Sequence, residues 1–174
     1  MKMISHFVSV VTIILCCSCA PQNGTVESSG RNKYYSRTDT NHLSVSNSEW
    51  KEILPHDLYV VAREKATERA FAGKYWKDNP KGFYFCAVCG NKLFKSDAKF
   101  ASTCGWPSFF EAVRTNSITY QNDTSNNMER TEVLCARCDS HLGHIFNDGP
   151  PPSHKRFCMN SISLDFEPEV SGGK

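Results

Sequence analysis

The apolar positions divide the chain into three stretches. A run from Phe7 to Leu15 behind Lys2 ends in Cys16-Cys17-Ser18-Cys19-Ala20. From Pro21 to Asn47 apolar residues are sparse among Ser, Asn, Thr and Gly, a composition that buries too little surface to offset the entropy of ordering it. From Ser48 onward the apolar side chains become periodic. Trp50, Ile53 and Leu54, then Leu58, Val61 and Ala62, recur at i, i+3, i+4, which predicts two short helices parted by Pro55. Beyond Gly82 the period shortens to two: Phe83 and Phe85, Ile118 and Tyr120, and Ile162, Leu164 and Phe166 fall on alternate positions between Asn-, Asp-, Gly- and Pro-rich breaks. The pattern predicts a mainly β body of short antiparallel strands with short helices at its N-terminal side.

The apolar run is well short of the roughly 20 residues that span a bilayer. Residues 1–20 therefore read as a secretory signal. Cys16-Cys17-Ser18-Cys19 resembles a bacterial lipobox with cysteine in the usual leucine position, and Cys19 is the candidate lipid-bearing residue. The alternative is a simply secreted chain cut after Ala20, with Pro21 a poor neighbour for that cut. Either way the expected location is outside the cytoplasm, in the periplasm or cell envelope. Residues 21–47 read as a polar tether in which Tyr34 and Tyr35 have no assigned role, and 48–170 as the folded domain.

A chain of 174 residues, 40% hydrophobic and 22% charged, suits one domain with a tail and excludes a collagen-like or multi-pass membrane protein. The formal charge is only +2 and the signs are interspersed, which gives no electrostatic footprint for nucleic acid. Nothing points to an oligomer.

Nine cysteines set the chemistry. Setting aside the three in the leader, four form two tight pairs, Cys86-Ala87-Val88-Cys89 and Cys135-Ala136-Arg137-Cys138. A two-residue gap lets both thiolates of a pair turn toward one point, and two such knuckles complete a tetrahedron around zinc. The alternative is redox pairs or disulfides in an oxidising compartment. His141 lies close enough to Cys138 to be an alternate ligand.

Cys104 and Cys158 remain. Cys104 sits in Thr103-Cys104-Gly105-Trp106-Pro107-Ser108-Phe109, where Trp106 reads either as a pocket wall or as core filler. If Arg156-Phe157-Cys158-Met159-Asn160 is a strand, Arg156, Cys158 and Asn160 share a face. A guanidinium beside a thiol favours the thiolate. Either cysteine could instead be a small buried hydrophobe. Upstream, His141 and His144 followed by Asp148 supply groups for proton transfer near neutral pH.

Taken together, Cys86-x-x-Cys89, Cys104-Gly105-Trp106-Pro107-Ser108-Phe109, Cys135-x-x-Cys138, His141-Leu142-Gly143-His144, Asp148-Gly149-Pro150 and Arg156-Phe157-Cys158-Met159-Asn160-Ser161 resemble the methionine sulfoxide reductase B family over about Trp50 to Pro168. The resemblance implies two antiparallel β-sheets with short N-terminal helices, structural zinc on the knuckles, and reduction of the R-sulfoxide of methionine in oxidised proteins or the free amino acid. It also implies Cys158 as nucleophile and Cys104 as resolving thiol, closing a Cys104–Cys158 disulfide that a thioredoxin-like dithiol protein reopens. Trp106, His141, His144, Asp148, Arg156 and Asn160 would surround the sulfoxide, with Asp148 expected to orient an imidazole. Rival readings are a zinc-stabilised binding module without turnover and a thiol peroxidase.

Overall fold

The computed structural model describes residues 30–77 and 80–169. The leader with Cys19, and residues 21–29 of the expected tether, lie outside the described residues. Helix α1 (Asn47–Ile53) begins where the Ser46 hydroxyl accepts the Glu49 N–H at 3.2 Å, satisfying one of the free donors of the first turn. Pro55 then separates it from α2 (His56–Glu64), which ends on Lys65 in the left-handed conformation. Trp50, Leu54, Leu58, Tyr59 and Ala62 all face the core, as their spacing requires.

Among the described residues nine strands follow: β1 (Gly82–Cys86), β2 (Lys92–Lys95), β3 (Lys99–Phe100), β4 (Ser108–Phe109), β5 (Ile118–Asp123), β6 (Arg130–Cys135), β7 (His141–Phe146), β8 (Arg156–Met159) and β9 (Leu164–Pro168). They form two sheets, ordered β2-β1-β9 and β3-β4-β8-β7-β6-β5, with antiparallel pairing throughout. The fold is thus the mainly β arrangement that the period-two pattern predicts. Two details differ from strict alternation. In β1, Tyr84 and Phe85 are both buried, because aromatics pack on one face and the N-terminal arm covers the other. Tyr120 projects to solvent although Ile118 is buried, so the apolar spacing of β5 does not mark a core face.

The core is aromatic. Phe94 stacks on Phe109 with ring centroids 4.4 Å apart, and Tyr84 meets Phe109 edge-on at 5.0 Å. Each such side chain contributes about 1.5–3 kcal/mol on leaving water. This cluster joins the two sheets and sets β8, the centre of the larger one, on a rigid base.

The expected tether needs correction. Residues 31–46 form an arm packed on the body. Tyr34 donates to Glu49 at 2.7 Å and its ring meets Trp50 edge-on at 5.3 Å. Tyr35 and Arg37 both donate to Asp165, and Leu43 and Val45 pack against the core. Buried Arg137 ties the arm down through the Tyr34 carbonyl and the Asp39 carboxylate, while the Ser36 N–H donates to the Cys89 carbonyl at 2.9 Å. A few aromatic and charged anchors with distant partners hold a segment whose average composition is polar.

Candidate functional site

The site grows out of the centre of the six-stranded sheet. Cys158 on β8 is paired with Ser108 of β4 on one side and His144 of β7 on the other. The burial of β8 alternates, with Phe157 and Met159 inside and Arg156 and Cys158 on the half-open face, so the period-two reading holds. Gly143 permits this register, since a Cβ there would collide with the Cys158 carbonyl oxygen. Beyond the β8 strand lies a cavity of about 100 Å³. Cys158, Trp106, His144 and Asn160 line it, joined by Thr67, Arg130 and Phe146.

Cys104, in the loop between β3 and β4, brings its sulfur to 3.5 Å from that of Cys158. Gly105 makes the approach possible: its φ of +87° favours glycine, and a Cβ would press on the backbone of Phe71. The Ser102 hydroxyl lies 3.0 Å from the Cys104 sulfur and the Ser108 hydroxyl 3.5 Å. The two sulfurs share one proton and one negative charge. The hydrogen bond from Cys158, with help from the two serines and against burial, brings Cys104 down to about 4. The same bond, followed by burial, holds the other proton on Cys158, and Arg156 opposes that rise.

This coupling has a measurable consequence. Because the shared charge appears as pH rises through the acid range, alkylation of the pair by iodoacetamide should be nearly flat between about pH 6 and about pH 8, where an ordinary thiol speeds up nearly tenfold per unit. The rate should fall only in more acid solution. Peptide mass spectrometry of the Cys104 and Cys158 adducts checks this, and a tenfold rise per unit would contradict it.

The carboxylate assignments change. Asp148 touches neither imidazole but forms a bidentate pair with Arg156 at 2.8 and 2.9 Å, because the β7–β8 hairpin sets Phe146 opposite Arg156 and leaves Asp148 just beyond. His144 instead meets Asp123 through Nε2 at 2.7 Å, and Asp123 also accepts from Arg130 at 2.7 Å. Hydrogen bonds from the Ser125 side keep Asp123 well below the usual carboxylate range, with His144 and Arg130 adding to the effect. His141 is buried behind His144, with ring centroids 5.4 Å apart, and its Nδ1 meets Glu132 at 2.7 Å. Burial depresses its basicity more than Glu132 restores it.

Asp123, Glu132, Arg130, Thr67 and Phe146 were not foreseen from the sequence. Strand register would have shown Glu132, opposite His144, and Arg130, opposite Asp123; Phe146 falls two residues past His144 on the same strand, and Thr67, in the coil past α2, carries no such signal.

The four knuckle cysteines, none of which lines the cavity, converge. Their sulfurs all lie within 4.8 Å of one another and are buried, with Cys86–Cys138 at 3.7 Å and Cys89–Cys135 at 3.6 Å. Each knuckle is a tight turn at a strand end, closed by Gly90 N–H to Cys86 carbonyl at 2.8 Å and Asp139 N–H to Cys135 carbonyl at 2.9 Å. Such a cluster could hold a metal ion. His141 is not part of it, being committed to Glu132.

Comparison with known proteins decides the family. The SelR domain model matches residues 54–168. A peptide methionine sulfoxide reductase MsrB of Methanosarcina barkeri is 50% identical over 127 residues, 73% of this chain and 89% of that one. The chain belongs to the methionine sulfoxide reductase B family. Similar relatives with the same name occur in Thiobacillus denitrificans, 50% identical over 71% of this chain and 94% of that protein, and in Leptospira interrogans, 49% identical over 73% and 97%. All the cavity-lining residues and all four knuckle cysteines of this methionine sulfoxide reductase B chain fall inside the matched region, and the arm of residues 31–46 falls before it.

Proposed function

We propose that the chain reduces methionine R-sulfoxide to methionine through a cysteine sulfenic acid and an internal disulfide. The observation that carries this reading is a pair of free sulfurs 3.5 Å apart, one of them lining a cavity bounded by an indole and an imidazole. A sulfoxide oxygen is a poor leaving group until it is protonated, so the reaction needs a thiolate and an acid together. Cys158 gives up its proton to the Cys104 thiolate, and Arg156, held by Asp148, favours the resulting charge at Cys158.

The Cys158 thiolate then attacks the substrate sulfur while His144, oriented by Asp123, protonates the oxygen. The S–O bond breaks as oxygen passes to Cys158, methionine leaves, and Cys158 is oxidised to sulfenic acid. Trp106 offers an apolar face for the S-methyl group. His141 packs behind His144, the imidazole that lines the cavity. Cys104 condenses with the sulfenic acid, releasing water and closing the Cys104–Cys158 disulfide. A thioredoxin-like dithiol protein reopens it by exchange, taking up the oxidising equivalents as its own disulfide.

The experiment is a reductant-free reaction of the thiol form with excess methionine R-sulfoxide. One methionine should be released per chain, with loss of both thiols. Cys104→Ser should keep this first release within about threefold of the original rate but lower dithiol-driven turnover by on the order of a hundredfold or more, with Cys158 trapped as the sulfenic acid by dimedone. Normal multiple turnover with a dithiol protein would remove Cys104 as the resolver.

The four-cysteine cluster is the proposed zinc site. For bonds near 2.3 Å, a tetrahedral ion needs sulfur–sulfur edges of about 3.8 Å, and the knuckle sulfurs at 3.6 and 3.7 Å fit. Cys86, Cys89, Cys135 and Cys138 would fill four positions, and zinc would supply a cross-link between the turns that follow β1 and β6 rather than chemistry. Export, with Cys19 as lipid carrier, is proposed on the leader sequence alone. Among the described residues no helix is long and apolar enough to cross a membrane.

A further inference from the structure

Three walls of the cavity come from separate parts of the chain. Thr67 follows α2, Trp106 lies in the Cys104 loop, and Asn160 ends β8. All three meet at Glu68, which is not among the residues lining the cavity. The Trp106 indole N–H donates to the Glu68 carbonyl at 3.2 Å, and the Glu68 N–H donates to Asn160 Oδ1 at 3.0 Å. Thr67 is its chain neighbour. The Glu68 side chain anchors this peptide, because its carboxylate accepts the N–H groups of Ser161 and Ile162 at 2.6 and 3.0 Å.

We propose that Glu68 is a positioning residue, whose carboxylate pins the peptide that sets the Trp106 and Asn160 walls at the spacing the methionine sulfoxide side chain requires. The inference rests on the reading that this cavity holds the sulfoxide. The two N–H groups it accepts belong to successive residues at the start of a short turn immediately after β8, where no preceding backbone carbonyl is in place for them. A charged acceptor there makes strong, short hydrogen bonds. Without it the peptide keeps the Glu68 N–H bond to Asn160 but loses its two charge-assisted bonds to Ser161 and Ile162, so the carbonyl that accepts the Trp106 indole is held less firmly. The thiols have supports of their own: Cys158 is held by β4 and β7, and Cys104 by Ser102 and Ser108, beside the bond from the Phe71 N–H to the Gly105 carbonyl, which the Glu68 side chain does not make.

The test separates recognition from thiol chemistry in the full-length reduced protein. Since small misplacements of positioning groups can cost up to about a hundredfold, Glu68→Ala should raise KM for a blocked methionine R-sulfoxide about tenfold, with kcat changed by less than about threefold. Glu68→Gln, which keeps one acceptor oxygen and sets an NH2 against the second N–H, should fall between. Oxidation of Cys158 by hydrogen peroxide, which needs neither wall, should stay within about twofold of the original rate in both variants.

An unchanged KM in Glu68→Ala would overturn the proposal. So would a parallel fall in the peroxide rate, as general loosening of the fold would produce. Should Glu68→Ala fail to fold, Glu68→Gln decides by the same comparison. A wild-type chain that turns over no sulfoxide would overturn the functional reading and this inference with it, whereas normal wild-type turnover with an unchanged KM in the variants overturns the inference alone.

Discussion

Cys158→Ser should abolish release of methionine from methionine R-sulfoxide even in a single turnover, a loss on the order of 10⁴-fold or more, because a serine hydroxyl is not ionised in this site and no other group lining the cavity is a nucleophile of comparable strength. The substitution removes one end of the 3.5 Å sulfur pair while leaving β8 held between β4 and β7, so the fold should persist. Cys104 keeps a donor in the serine hydroxyl, besides Ser102 and Ser108, so its alkylation should remain nearly flat with pH above the acid range. Rapid-mixing assays for methionine, with pH-dependent alkylation of Cys104, check both effects. Retained single-turnover chemistry would place the nucleophile elsewhere.

Cys86→Ser should release the metal and destabilise the whole domain. Structural zinc contributes on the order of 10 kcal/mol of apparent folding free energy, and a loss of even a few kcal/mol moves the melting temperature of a chain this size by about 10 °C or more. The loss should spread beyond the knuckles, since the arm is bound to them through the Cys89 carbonyl, and Arg137 stands between Cys135 and Cys138. Metal analysis of the purified variant with a thermal melt is the check. An unchanged melting temperature with no metal lost would remove the zinc assignment.

Local features were the ones legible in the sequence. Within each C-x-x-C turn the two thiols face one point because the turn is closed by its own backbone hydrogen bond, a property of a few adjacent residues. Cys158 shares a face with Arg156 because β8 is extended. The carboxylates were harder. Asp148 is near His144 in sequence, yet the hairpin turns it toward Arg156, and the partner of His144 is Asp123, brought in by the registers of β5, β6 and β7. Nothing in a one-dimensional pattern encodes that register. The arm was misread for a similar reason: Tyr35 and Arg37 find their partner at Asp165, on a strand at the other end of the chain.

The central claim is that the cavity beside Cys158 takes one epimer of an oxidised methionine and passes its oxygen to that sulfur. The most direct measurement uses separated R and S epimers of a blocked methionine sulfoxide, each mixed with the reduced protein without reductant. The account predicts that the R epimer yields one methionine per chain with loss of the Cys104 and Cys158 thiols, while the S epimer is left intact. Equal consumption of both epimers, or methionine released with both thiols still free, would contradict it.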